Sequence, residues 1–277
     1  MQFPRLATRF PNKRAFITGA GSGLGLALAN ALARDGWALG LFDHNLARLT
    51  TVEGELSAAG VPVLAYPGDV TQANELTVAV NTFAATYDGL DVMINNAGVA
   101  ASGSLMEIPL EDWDWIIRTN LMGVVHGCRA AIPHLQRNSS GLLINVASAA
   151  SFISAPEMSS YSATKAAVVS LSESIANELR ASGTQVSVVM PTFFPSNLLE
   201  SFRGTEDSRS SARRLMEVAN YPAEAVAQDL LNLAARGKTY IVLPGSARML
   251  WRAKRYMPER FLRRIVAIRD RMRRKAS

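Results

Sequence analysis

A chain of 277 residues, 48% hydrophobic and 19% charged, is long enough for one large α/β domain with a buried core and too apolar for wholesale disorder. One cysteine, Cys128, excludes an internal disulfide and a Cys-rich metal site, and His44, His126 and His134 do not cluster in sequence, so no metal is expected. The net charge of +6 is uneven: residues 246–277 hold twelve Lys and Arg against Glu259 and Asp270, a local +10 that leaves the body at −4, so the basic character belongs to a tail.

The N-terminal residues lack the continuous apolar stretch of a secretory signal, and the uncharged run 15–33 is broken by four glycines, Thr18, Ser22 and Asn30, so cytoplasmic residence is expected. Residues 14–18 form an apolar run of strand length, 24–34 have helical period, 37–42 read as strand and 46–59 as helix. The alternation continues with strand 61–66, helix 72–86, strand 90–95, a loop through Ser104 and one long helix over 111–136. Strand 141–146, helix 160–180, strand 186–189, helix 223–235 and strand 239–243 complete it. Strands separated by helices pair in parallel through right-handed crossovers, which predicts an α/β fold with one doubly wound sheet and helices on both faces. Only the polar stretch 200–214 breaks the rhythm, and it reads either as a cover over a site or as a surface excursion.

The first strand ends in Thr18-Gly19-Ala20-Gly21-Ser22-Gly23-Leu24-Gly25 and runs into an apolar helix. Glycine lets the backbone come close to a pyrophosphate, while free N–H groups and the helix dipole favour the anion. Gly19, Ser22, Gly23 and Leu24 are therefore candidate phosphate contacts, and Gly25 permits close packing of helix on strand. The second strand ends at Asp43, 18 residues past Gly25, where a carboxylate accepts hydrogen bonds from the adenosine ribose hydroxyls and repels a 2′-phosphate. NAD is thus favoured over NADP; the neighbour His44 agrees, while Arg48, one turn on, is within reach of a phosphate. Asp69 and Val70 end the third strand, where an adenine edge would lie, and Asn96, Ala97 and Gly98 end the fourth. All these strand ends fall on one edge of the sheet, the edge on which open α/β folds bind ligands.

Tyr161 and Lys165, four apart in a helical segment, share one face. A phenol titrates near ~10, too high for a base at neutral pH, and a nearby ammonium favours its ionised form. Ser148 follows the fifth strand onto the same sheet edge, where its hydroxyl would meet a substrate oxygen. Asn120 is polar within an apolar helical stretch, a placement that costs several tenths of ~1 kcal/mol and suggests a special task such as holding a water.

Taken together, TGAGSGLG, NNAG, Asn120, Ser148 and YSATK resemble, in order and spacing, the short-chain dehydrogenase/reductase family over about residues 13–191, with a weaker echo to Pro244. The resemblance implies a single Rossmann-like domain over 1–245 with strand order 3-2-1-4-5-6-7, followed by the tail 246–277. It also implies a secondary alcohol/ketone or aldehyde oxidoreductase, with Tyr161 as acid/base and Lys165 lowering its pKa and binding the nicotinamide ribose. Ser148 would polarise the substrate oxygen, Asn120 would hold a water in a proton relay, and the protein would form dimers or tetramers partly through the helices bearing Asn120 and Tyr161. Where the family usually has Pro-Gly, this chain has Pro191-Thr192-Phe193-Phe194-Pro195-Ser196. Pro191 and Ser196 keep the places of cofactor contacts, and Phe193 and Phe194 either wall the substrate pocket or pack internally. Rival readings are an NADP-preferring carbonyl reductase and a catalytically silent nucleotide sensor or scaffold.

Ala150, Phe152, Met158 and Leu198 give the surroundings of the proposed chemistry an apolar character that suits a hydrophobic alcohol or ketone. In the tail, Phe261, Leu262, Ile265, Ile268 and Met272 recur at helical spacing between arginines, which predicts a basic amphipathic helix starting at Pro258. Such a helix docks on its own body or a sister subunit, or makes peripheral contact with an anionic membrane; no reading module accompanies the charge, so nucleic acid is not the expected partner.

Overall fold

The computed structural model describes residues 3–137 and 140–276, with residues 268–276 described by backbone alone. Its strands are β1 (Arg14–Thr18), β2 (Ala38–Asp43), β3 (Val63–Pro67), β4 (Val92–Asn95), β5 (Gly141–Val146), β6 (Thr184–Pro191) and β7 (Tyr240–Leu243). They form one sheet in the order β3-β2-β1-β4-β5-β6-β7, parallel at every pairing, as the alternating pattern predicts. The helices are α1 (Pro4–Arg9), α2 (Gly23–Arg34), α3 (Leu46–Ala58), α4 (Ala73–Thr86), α5 (Leu110–Ile117) and α6 (Gly123–Leu135). After β5 come α7 (Ala150–Ile153), α8 (Ser159–Glu178), α9 (Glu206–Glu217), α10 (Ala223–Ala235), α11 (Arg248–Tyr256) and α12 (Pro258–Ala276).

Side chains alternate across the sheet into two cores, which is why the strands read as continuous apolar runs. Ala15, Ile17, Leu39, Leu41 and Ile94 pack under α2 and α10. Phe16, Phe42, Met93 and Leu143 point the other way, under α4, α6 and α8. At the end of the sheet remote from the strand C-termini, Arg14 and Asp91 form a buried bidentate pair at 2.9 and 3.0 Å that ties the start of β1 to the entry of β4.

The structure departs from the sequence reading in three places. Helix α1 was not expected: six residues are too few for periodicity, yet Phe3, Leu6 and Phe10 are fully buried and anchor it beside Trp37. The single helix expected over 111–136 is interrupted by a π-helical turn, Arg118–Met122, between α5 and α6. The stretch 200–214 contains most of α9, whose N-cap Thr205 accepts a hydrogen bond from the Ser208 N–H at 3.2 Å and whose first turn carries Glu206 and Asp207.

The tail is helical, as expected from residue 258, and α11 precedes that helix. Phe261 is buried, Ile265 half-buried and Leu262 exposed, whereas the Ile268 and Met272 side chains lie outside the described residues. Among the described residues no helix is long and apolar enough to cross a membrane.

Candidate active site

The turn after β1 is built by close backbone approach. Gly19 has φ +66°, and a side chain there would put its Cβ 2.9 Å from the Ala97 Cα. A Cβ at Gly25 would stand only 1.9 Å from the Gly19 carbonyl oxygen, so the first turn of α2 nests against the strand end. Thr18 Oγ1 accepts the N–H groups of Asn96 and Ala97 at 3.0 and 3.1 Å. Asn96 returns its amide to the carbonyls of Thr18 and Gly19 at 3.0 and 3.2 Å. Its side chain therefore braces the glycine turn. The N-cap residue Ser22 makes no capping hydrogen bond, which leaves the start of α2 available to an anion. A cradle that a Cβ would fill, at a helix N-terminus, fits the pyrophosphate of a dinucleotide.

Asp43 ends β2 beside the glycine turn, where the sequence reading expects the adenosine ribose. One carboxylate oxygen accepts the Gly21 N–H at 2.8 Å, the other the Asn45 N–H at 2.9 Å, and together they fix its position at the end of β2. Arg48 is held by Glu200 at 2.7 Å, a partner that sequence reasoning missed. Asp69 stabilises its own turn through the Thr71 N–H, and buried Val70 offers its carbonyl to His126 Nδ1 at 2.9 Å. Ser196 Cβ lies 3.5 Å from where a Cβ on Gly23 would stand, so the segment after β6 meets the glycine turn.

The four residues proposed for chemistry converge on the adjoining part of this edge. Helix α8 is located by a buried amide chain in which Asn95 donates to Asn145 at 2.8 Å and Asn145 donates to Ser172 at 3.0 Å. The Ser148 hydroxyl is near enough to Tyr161 to pull its pKa down, and its Oγ accepts the Ala150 N–H at 3.1 Å. Lys165 Nζ lies 5.8 Å from the centre of the Tyr161 ring and donates to the Val146 carbonyl at 3.1 Å. A Cβ on Gly98 would come 3.2 Å from that ammonium and 3.1 Å from Asn120 Oδ1, so glycine is what lets these groups meet.

Asn120 sits in the π-helical turn and is fully buried. It accepts the Val99 N–H at 2.8 Å, donates to the Val99 carbonyl at 2.9 Å and touches Thr164 Oγ1 at 3.4 Å. The side chain thus clamps the loop beyond β4, a positional task that the cost of a mid-helix Asn hinted at without revealing its partner. Burial pushes the Tyr161 phenol above its usual range, against the pull of the Ser148 hydroxyl. Burial also pushes Lys165 down to about 8. The expected lowering of the phenol is therefore outweighed by desolvation in the chain on its own.

A cover lies over this group. Phe202 packs with Tyr161, Ala100 and Ile116 in one apolar cluster, joined by Ala150 and Leu198. Arg203 donates its N–H to the Ala100 carbonyl at 3.2 Å and accepts the Ser102 N–H at 2.9 Å. Its guanidinium reaches Asp112 at 2.8 Å and lies 4.1 Å from the Trp115 ring centre. Of the two readings of the 200–214 stretch, its first residues act as a cover and α9 carries the rest. Phe193 is exposed, while Phe194 packs against the core under α2 and α10. Pro191 is buried and accepts the Ala149 N–H at 2.8 Å, which ties the end of β6 to the Ser148 segment.

Residues 13–207 match the model of the short chain dehydrogenase family. The chain belongs to the short-chain dehydrogenase/reductase family. It is similar to an uncharacterized oxidoreductase of Staphylococcus aureus, 32% identical over 77% of this chain and 92% of that one. A short-chain dehydrogenase/reductase from Burkholderia phymatum, solved with NAD, superposes with a TM-score of 0.84 at 30% identity, covering 89% of this chain and 94% of that one. An alcohol dehydrogenase from Thermococcus sibiricus, solved with 5-hydroxy-NADP, gives 0.70 at 28% identity, covering 83% and 95%. As a short-chain dehydrogenase/reductase the protein is an oxidoreductase with a Rossmann-like nucleotide-binding fold.

Proposed function

We propose that the protein interconverts a secondary alcohol and a ketone, or an aldehyde, of apolar character, with NAD preferred over NADP. The observation that carries the reading is the group of Tyr161, Ser148 and Lys165 beside the glycine turn, the first and last of them buried. When bound, the nicotinamide supplies or accepts the hydride. Tyr161 gives its proton to the carbonyl oxygen in reduction and takes the alcohol proton in oxidation. Ser148 donates its hydroxyl to the same oxygen and steadies the charge that develops there, its Oγ being oriented by the Ala150 N–H. Lys165 favours the phenolate while it is charged. Asn120 keeps the Val99 peptide, and with it the loop from Asn96 to Val99, in register with the glycine turn.

Preference for NAD is supported by Asp43, fixed where a ribose 2′-phosphate would meet a carboxylate, and by Glu200, which pairs with Arg48. The apolar cluster around Tyr161 supports a hydrophobic substrate. Tyr161→Phe tests the assignment. NADH binding, followed by fluorescence titration, is expected to remain near the wild-type value, while turnover across a panel of secondary alcohols falls by at least about 10²-fold. Near-native turnover would refute it.

A further inference from the structure

Helices α11 and α12 carry their apolar surface on the outside. The side of α11 that bears Trp251 faces the body: Trp251 lies 5.4 Å from the Tyr240 ring of β7, and α11 packs against α7. Met249, Leu250 and Tyr256 stand away from the body at helical spacing, Met257 follows them at the junction with α12, and the four are 75, 45, 80 and 48% exposed. Helix α12 repeats the arrangement: Phe261 is buried, while Leu262 and Val266 stand out at 41 and 43%. Arg248, Arg252, Arg260 and Arg263 are exposed around these residues. A soluble surface rarely gathers this many large apolar side chains in one place without a partner.

The charge decides which partner. Residues 246–277 carry +10. A twofold contact between two copies of the same face would bring the exposed arginines of one against those of the other, and a phosphodiester chain would leave the apolar row unburied. We propose that α11 and α12 dock the protein on an anionic lipid bilayer. Met249, Leu250, Tyr256 and Met257 sink to the boundary of headgroups and acyl chains, and the arginines pair with headgroup phosphates. Because α11 rests on α7, whose first residue Ala150 supports Ser148, docking holds the substrate cluster close to the lipid surface. The docking surface stands independently of the catalytic assignment.

Co-sedimentation of the full chain with vesicles tests it. The protein is expected to pellet with vesicles of phosphatidylcholine plus phosphatidylglycerol, to stay in solution with phosphatidylcholine alone, and to be released by salt. Met249→Gln with Leu250→Gln, and separately Arg252→Gln with Arg260→Gln, should each weaken the anionic binding roughly tenfold or more. All four positions are exposed, so circular dichroism and NADH titration should be unchanged in both variants. Failure to bind the anionic vesicles, or binding that ignores the Met249/Leu250 pair, would overturn the proposal. A shift in oligomeric state on the Met249/Leu250 substitution, seen by analytical ultracentrifugation, would assign the face to a second copy and equally overturn it.

Discussion

On the proposed reading, one side chain, Asp43, holds the cofactor preference. Its two oxygens are already oriented by the Gly21 and Asn45 N–H groups, so its charge sits at a fixed point rather than sweeping a volume. Asp43→Asn keeps the size and removes the charge. Fluorescence titration should show NADH binding weakened by roughly tenfold, the cost of about one charged hydrogen bond, and the gap to NADPH narrowed. An unchanged ratio of the two affinities would count against the role of Asp43. Its place at the end of β2 was legible in sequence because the apolar run of the second strand stops there. Thr164, Glu200 and the Val99 peptide were not, since each matters through a partner brought from a distant element: Asn120 for two of them, Arg48 for the other.

Among the elements, the segment joining β6 to α9 does the covering, and Arg203 fastens it. The residue combines backbone pairing to the loop after β4 with an ion pair to Asp112 and a stacked contact on Trp115 of α5. Arg203→Ala keeps the backbone pairing and removes the side-chain fastening. The expected outcome is a several-fold rise in KM for an apolar alcohol with a smaller change in kcat, because the cover excludes water and holds substrate while the proton donors are untouched. Steady-state kinetics on both parameters checks it. Sequence periodicity located the strands and most helices within a few residues, but it smoothed over the π-helical turn, where one extra residue per turn leaves the apolar pattern almost intact. The start of α9 was marked by Thr205 followed by Glu206 and Asp207, a capping signal available to sequence reasoning and obscured by the polarity of the whole helix.

For the molecule as a whole, strand order followed from the alternation of strand and helix together with the family resemblance, since parallel pairing with right-handed crossovers leaves few ways to lay out seven strands. What pins the sheet at its far end could not be read, because Arg14 and Asp91 are far apart in the chain and ordinary in composition. Both are buried and paired through two side-chain hydrogen bonds, so removing Asp91 takes the countercharge from Arg14, which keeps the Tyr87 and Asp88 carbonyls as acceptors. Asp91→Ala should lower unfolding free energy by about 3 kcal/mol in urea denaturation, with cofactor contacts distant from the change. A loss below about 1 kcal/mol would mean that Arg14 finds water or another acceptor.

Tyr161 and Lys165 share one buried site, where burial pushes the phenol up and the amine down. With Lys165 pushed down to about 8, the pair loses its first proton near that pH. Below it, the charged Lys165 draws the phenol towards its ionised form; above it, that support is gone and the buried phenol holds its proton. The most direct measurement is kcat/KM against pH in both directions, for the wild type and for Lys165→Met. On the proposed reading kcat/KM should inflect near pH of about 8 in the wild type, where Lys165 loses its charge, and only at higher pH in the variant, where burial holds the lone phenol above the usual tyrosine range. Inflections at the same pH in the two proteins would contradict the account.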